Sequence, residues 1–361
     1  MTDGYRMKKV LCFIDSLGSG GAQRQMAGLA TLLHERGYDV KVITYYNVSF
    51  YQAFIDQENI DFECLNSGRN FIRRFLGVAG AINRFMPNTV ISYLDTPNII
   101  ACACKLFSKS WKLIVSERSL TQKVGIKERI KFLLYRKADI IVSNSYSQNS
   151  FITGHFPELS SKCKVITNFV DTDCFAPPVG KTYNSPIRLI GVGRINDEKN
   201  IPLLINAISI VQRRGYSVKV DWYGKRYPIY VSCSNLIKEL NVDNLFEFHE
   251  PSHEIVKEYQ TSDVFVLTSL YEGFSNVICE AMSCGLPIIA SDVSDNGVLV
   301  KDGINGFVFP SNDKDKLAGC IIKYINLSEE QKLEMGKKSR ERALSLFSSE
   351  LFVEKYIQLL D

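Results

Sequence analysis

No apolar run in this 361-residue chain approaches the roughly 20 residues of a membrane-spanning helix. The start, Met1–Lys9, lacks the apolar core of a secretory signal, and Met7 reads as an alternative start just ahead of a first strand. Cys-x-x-Cys pairs are absent. Ten cysteines are scattered, several within apolar runs (Cys12, Cys279, Cys320), which argues for reduced thiols in a cytosolic protein and against a disulfide framework or a zinc site. Histidine is scarce, and His34, His155, His249 and His253 show neither metal-ligand spacing nor an evident triad partner. Internal repeats and low-complexity tracts are also missing. Net charge is a modest +4, but residues 1–180 carry +7 and the remainder −3, so an anionic partner is sought in the first half.

What is present is a soluble composition, 45% hydrophobic and 23% charged, in a chain long enough for two domains. Short apolar runs at Lys9–Ile14, Val40–Tyr45, Val90–Leu94, Leu113–Ser116, Ile140–Ser143 and Val165–Thr167 alternate with helical patterns. A Pro-rich linker, Pro177–Pro186, follows. A second series then starts at Ile187–Val192 and continues through Val218–Tyr223, Leu245–Phe248, Val264–Leu267 and Ile288–Ala290. Helices at about 314–326, 328–346 and 350–360 end the chain. Two strand/helix series joined by a linker imply an α/β protein of two doubly wound, Rossmann-like domains facing a central cleft.

Two helices of the first half carry basic residues. Arg69–Phe85 has an apolar stripe of Phe71, Phe75, Val78 and Ile82. In Ile126–Arg136, Ile126, Ile130, Leu133 and Leu134 share a face, with Lys127 and Lys131 off it; ten basic and two acidic residues lie between Lys105 and Lys137. Such stripes are expected to pack on the domain's own core, with contact to an anionic membrane surface as an additional role. Nucleic acid is a poor third choice, for lack of a recognisable binding fold or aromatic platform.

The chemistry concentrates in Ser269-Leu-Tyr-Glu272-Gly-Phe-Ser-Asn-Val-Ile-Cys-Glu280-Ala-Met-Ser-Cys-Gly285-Leu-Pro287. A helix from about Ser275 to Cys284 is expected, with Gly285 as its C′ residue and Pro287 preventing continuation. Gly273, Phe274, Ser275 and Asn276 then lie at the helix mouth, where free N–H groups attract an anion. Glu272 and Glu280 suit the hydroxyl-rich ends of a ligand whose middle is phosphate, because carboxylates accept from O–H donors.

This stretch resembles the Glu-x7-Glu signature of family 4 of the retaining, nucleotide-sugar-dependent glycosyltransferases, which have the GT-B fold. The resemblance continues through Gly18-Ser-Gly20-Gly21-Ala, Val165–Phe175, Gly191-Val-Gly-Arg194-Ile-Asn-Asp-Glu-Lys199-Asn and Asp302–Pro310. It implies an acceptor-binding domain over residues 1–178, a nucleotide-sugar-binding domain over 179–345 and a last helix, 346–361, that crosses back to the first domain. It also implies that Arg194 and Lys199 bind the donor diphosphate and stabilise its leaving charge, Glu272 holds hydroxyls of the transferred sugar, and Glu280 holds the ribose diol. Backbone N–H groups near Gly273, Phe274, Ser275, Asn276 and Val277 would take phosphate and sugar oxygens, and Gly20 and Gly21 would approach the phosphates from the other domain. A tight turn needing positive φ is an equally simple reason for those two glycines. The four histidines read as ordinary side chains, with His249 and His253 flanking a loop expected to border a base pocket.

The chain departs from the family where many members carry a His near the sugar. Here the residues are Ser116-Glu117-Arg118-Ser119, so Glu117 or Arg118 takes that place on the acceptor side, or the two form a buried structural pair. It departs again at Asp295-Asn-Gly-Val-Leu-Val300, where a Gly-Gly-x-x-Glu pattern is common. The resemblance implies a retaining hexosyltransferase that uses no cofactor or bound metal. It would move a sugar from a UDP-sugar to a growing, polyprenyl-diphosphate-linked glycan in lipopolysaccharide, O-antigen or capsule assembly, as a peripheral protein of the cytoplasmic membrane face. A nucleotide-sugar epimerase, a glucan synthase and a non-catalytic nucleotide-sugar-binding subunit remain open beside it.

Overall fold

The computed structural model describes residues 7–361; the first six residues of the Met1–Lys9 reading lie outside the described residues. The chain forms two compact units, one of Met1–Asn168 with Ser349–Asp361 and one of Phe169–Ser348.

The first unit runs β1 (Lys9–Phe13), α1 (Gly21–Glu35), β2 (Asp39–Thr44), α2 (Gln52–Gln57), β3 (Asp61–Cys64), α3 (Phe71–Phe85), β4 (Thr89–Tyr93), α4 (Asp95–Lys105), β5 (Lys112–Glu117), α5 (Ile126–Tyr135), β6 (Ile140–Ser143), α6 (Tyr146–His155) and β7 (Cys163–Val165). Its strands form one parallel sheet in the order β3-β2-β1-β4-β5-β6-β7. Strand residues Leu11, Phe13, Val90, Leu113 and Val115 are fully buried against Val78, Ile100, Phe132 and Tyr135 from the helices. Residues 163–165 form the last strand, slightly earlier than the run Val165–Thr167 implies.

The second unit contains β8 (Ile187–Val192), α7 (Ile201–Arg213), β9 (Val218–Tyr223), α8 (Ile229–Glu239), β10 (Phe246–His249), α9 (Ile255–Thr261), β11 (Val264–Leu267), α10 (Asn276–Ser283), β12 (Ile288–Ser291), α11 (Asn296–Leu299), β13 (Gly306–Phe309), α12 (Lys314–Ile325) and α13 (Glu329–Phe347). The last helix, α14 (Ser349–Leu360), belongs to the first unit. The second sheet is parallel, in the order β10-β9-β8-β11-β12-β13. Alternation along its strands feeds two cores: Leu189, Val264, Val266 and Ile289 pack with α7 and α12. Ile190, Phe265, Leu267 and Ile288 pack with α10 and Phe347.

The boundary falls at Asn168/Phe169, ten residues ahead of the expected 178/179. Val170 N donates to Phe347 O, Arg340 Nη1 donates to the carbonyls of Thr172 and Phe175, and Gln260 donates to Ala176 O. The Pro-rich stretch is likewise packed on the second unit, where Lys181 donates to Gln260 O and Asn184 N to Asp263.

Two expected helix faces are oriented differently. In α5, Ile126, Ile130 and Leu133 point to solvent, while Lys131, Phe132 and Tyr135 are buried. The cause is polar: Lys131 Nζ lies 2.7 Å from Glu117 Oε2 and 3.1 Å from Asp95 Oδ1, and this buried pairing sets the helix phase. In α3, Val78 and Ile82 are buried as expected, but Phe71 is exposed, and Arg74 turns inward between the Tyr45 and Tyr46 rings. All ten cysteines are free, and burial pushes the thiols of Cys12, Cys102 and Cys104 up to about 12.

The end of α10 matches its sequence signature. Gly285 has φ +76, its N–H donates to Met282 O, and Leu286 N donates to Ala281 O, forming a Schellman motif. A Cβ on Gly285 would also come within 3.2 Å of Pro177. Gly285→Ala is therefore expected to lower stability by about 1–2 kcal/mol. Urea denaturation of wild type and variant measures this, and an unchanged midpoint would contradict the strain argument.

Candidate functional site

In the second sheet β8 and β11 are neighbours although β9 and β10 intervene in sequence. Connections from β8 proceed to one side and those from β11 to the other, so the loops leaving these two strands diverge at their carboxyl ends. That divergence leaves a crevice where doubly wound sheets bind ligands. The loop after β8 carries Arg194 and Lys199, and the loop after β11 carries Glu272. Two bonds stitch the loops together: Leu270 N donates to Glu198 O at 2.8 Å, and Thr268 Oγ1 donates to Lys199 O at 2.8 Å.

Lys199 and Glu272 consequently meet, with Nζ 2.5 Å from Oε1 and both side chains about nine-tenths buried. Ser269 Oγ donates to the same oxygen at 2.6 Å, and Glu272 N donates to Ser294 Oγ at 3.1 Å. Among the described residues none donates to Glu272 Oε2, which stays available to a hydroxyl donor. Arg194 projects outward, its side chain 58% exposed and 3.5 Å from Glu198. Gly191 and Gly193 prove to serve the protein itself rather than only an approaching phosphate. A Cβ at Gly191 would strike Trp222, and Gly193, at φ +150, packs on the Lys199 stem while its carbonyl accepts from Trp222 Nε1.

Ser275 precedes α10 without capping it; its Oγ donates instead to Asn296 Oδ1 at 2.9 Å. Among the described residues none accepts from the backbone N–H groups of Gly273, Phe274, Ser275 and Val277. Those groups stand at the positive end of α10, beside the buried lysine. Glu280 is buried on α10 and accepts from Tyr259 Oη at 3.3 Å; no hydrogen bond joins it to Glu272. The sequence reading missed Ser269, Ser294, Asn296 and Tyr259. Ser294 and Asn296 lie in or beside the stretch that departs from the resembled pattern, and they hold the Glu272 loop and the mouth of α10.

The remaining candidates belong to the first unit. Gly20 caps α1 at φ −84, and neither Gly20 nor Gly21 has positive φ, so a strained turn is not the reason for them. Glu117 does not pair with Arg118. Neighbouring positions at the end of a strand project to opposite sides. Glu117 enters a buried network with Lys131, Tyr135 and Gln148, where burial holds its carboxyl above the ordinary value against the pull of Lys131. Its role is structural. Arg118 lies over the Tyr93 ring at 3.7 Å and donates to Asn168 Oδ1 and Tyr356 Oη, both at 2.8 Å. Every one of those partners is neutral.

Among the described residues one group, Asp221, Glu247 and His249, brings three possible metal-ligand atoms within 4.8 Å of one another. Asp221 is already engaged by Arg188 at 2.6 Å and by His249 at 2.9 Å, which accounts for the geometry without an ion. His249 also stacks on Tyr223, with ring centroids 4.5 Å apart. The structural role of Glu117 has a direct consequence: Lys131→Met is expected to cost about 3–5 kcal/mol by leaving a carboxylate buried without its cation. The Lys131→Met/Glu117→Gln double variant should recover much of that loss in urea unfolding, and additive losses would contradict the pairing.

Solved structures share this architecture across the chain. HepE of Anabaena in complex with UDP matches with a TM-score of 0.84 at 18% identity, covering 98% of this chain and 99% of that one. Two doubly wound units and this likeness define a GT-B fold. Residues 177–342 match the family model described as glycosyl transferases group 1. The N-acetylgalactosamine-N,N'-diacetylbacillosaminyl-diphospho-undecaprenol 4-alpha-N-acetylgalactosaminyltransferase of Campylobacter jejuni is 28% identical over 307 residues, 79% of this chain and 81% of the relative. The amylovoran biosynthesis glycosyltransferase AmsD of Erwinia amylovora is 24% identical over 371 residues, 98% of this chain and the whole of the relative. These similarities support a glycosyltransferase of polysaccharide assembly.

Proposed function

We propose that the protein is a retaining glycosyltransferase of family 4 type. It transfers a hexose or N-acetylhexosamine from a UDP-sugar to a growing glycan carried on a polyprenyl diphosphate, at the cytoplasmic face of the membrane. The observation that carries this reading is the Lys199–Glu272 pair at the switch point, 2.5 Å apart beside the free N–H groups that open α10. A buried cation and several N–H donors suit a diphosphate, and the carboxylate next to them suits sugar hydroxyls. The UDP in the HepE complex and the diphospho-undecaprenol in the name of the Campylobacter relative support the donor and acceptor classes.

In this reading Lys199 and Arg194 neutralise the departing UDP, and the N–H groups of Gly273, Phe274, Ser275 and Val277 take its oxygens. Glu280 receives the ribose diol, and Glu272 orients the transferred sugar through Oε2. The bond from the anomeric carbon to the phosphate oxygen breaks while a bond to the acceptor oxygen forms on the same face. The acceptor proton passes to the departing phosphate oxygen, so no protein nucleophile or metal enters the step. Arg118 serves the acceptor side, because a guanidinium with only neutral partners retains its full charge for an anion.

The test is UDP release from a panel of UDP-sugars, with a polyprenyl-diphosphate-linked N-acetylglucosamine as acceptor and the anomeric configuration of the product read by NMR. Lys199→Ala is expected to lower kcat roughly 100- to 1,000-fold by removing a donor to the leaving charge. Glu272→Gln should also lower kcat, and Arg118→Ala should raise the KM for the lipid-linked acceptor more than that for the sugar donor. Release of a free isomerised sugar would instead make the protein an epimerase. Elongation of a soluble glucan would make it a glucan synthase, and donor binding without turnover a non-catalytic subunit.

A further inference from the structure

We propose that the first unit docks on an anionic bilayer through the outward faces of α3 and α5. The strongest sign is the inverted phase of α5. Ile126, Ile130 and Leu133 are 80%, 55% and 58% exposed on a ten-residue helix whose inward face holds a lysine. Such an arrangement wastes three apolar side chains unless something other than water covers them. A second helix repeats it: Phe71, Ile72 and Leu76 of α3 are all exposed. The two belong to one layer, since α3 packs on α4 and α4 on α5. Their exposed apolar residues sit mostly in their first halves, toward the carboxyl ends of the strands from which both helices descend.

Charge selects the occupant. Arg69 and Arg73 border the α3 patch, and Lys123 and Arg129 border that of α5; all four are exposed. Among the described residues no carboxylate pairs with any of them. Lys127, 73% exposed, reaches Asp95 only at 3.6 Å. The acidic groups nearby are spent: Asp95 and Glu117 hold Lys131, Glu128 caps the Gly125 N–H, and Glu63 holds Lys41 and Arg84. An apolar centre rimmed by unpaired cations of one sign is complementary to a surface that offers negative headgroups above acyl chains. The same Lys131 that rotates the stripe outward is held by Glu117, which precedes the proposed acceptor-side Arg118 in the chain. The proposal deepens the reading of a lipid-linked acceptor and rests on that reading for its purpose.

The experiment is co-sedimentation of the full chain with phosphatidylcholine vesicles, with and without phosphatidylglycerol, alongside a UDP titration of the same preparations. Wild type is expected to bind the anionic vesicles and not the neutral ones, more weakly as salt rises. Ile130→Glu/Leu133→Glu should reduce the bound fraction about tenfold or more, and Arg129→Gln/Lys123→Gln should reduce it less, with unchanged circular dichroism and UDP affinity in both. Equal binding by wild type and the Ile130→Glu/Leu133→Glu variant would overturn the proposal, as would no binding at all. A dimer of wild type that this variant converts to monomer would also overturn it, by assigning the patch to a second copy. Vesicle binding needs neither donor nor acceptor. Absence of vesicle binding by wild type with UDP affinity intact therefore sinks the docking surface alone, whereas docking of wild type without nucleotide affinity sinks the donor reading alone.

Discussion

The divergence of chain direction between β8 and β11 is the constraint from which the second unit's candidate site follows. Parallel strands bring every β-to-α loop to one edge, but only where the order reverses do two such loops separate enough to admit a ligand. The sequence elements that end there are unlike. One contributes Arg194 and Lys199, the other Glu272 and the mouth of α10. Stitching by Leu270 and Thr268 brings lysine and glutamate within 2.5 Å in a nearly water-free setting. A pair of that kind is costly to bury, and its worth to net stability is small. Its positioning value is greater: the lysine is held in place, and one carboxylate oxygen is fully occupied while the other stays open.

A second buried pair organises the first unit in a comparable way. Lys131 with Glu117 and Asp95 overrides the hydrophobic stripe of α5 and turns three aliphatic side chains outward. Phe132 and Tyr135 fill the core in their stead. Arg118, on the next position of the chain after Glu117, belongs to a separate cluster, held by the Tyr93 ring and by Tyr356 of α14. The Tyr93 and Tyr356 hydroxyls bond each other at 2.8 Å, which closes this cluster within one unit.

What was legible in the sequence was local. The apolar runs located most strands because buried parallel strands are nearly continuous hydrophobic stretches. Gly285 with Pro287 marked the end of α10 because only a left-handed residue completes that cap. The polar strand β3, Asp61-Phe-Glu-Cys64, gave no such signal. The phase of α5 was illegible for a different reason: its determinant is a contact between residues fourteen positions apart on separate elements, invisible to any periodicity within the helix. The unit boundary failed similarly, since Pro177–Pro186 looks like a linker and only tertiary bonds such as Val170 to Phe347 show where the second unit begins. At the candidate site the charged residues stood out, while Ser269, Ser294, Asn296 and Tyr259, which hold them, are residue types that occur everywhere.

The most direct test of the donor-site assignment is calorimetric titration of UDP, GDP and ADP into wild type and Glu280→Ala. Selective UDP binding to wild type is expected, weakened about tenfold when the carboxylate assigned to the ribose is lost. Absence of binding by all three nucleotides would contradict it.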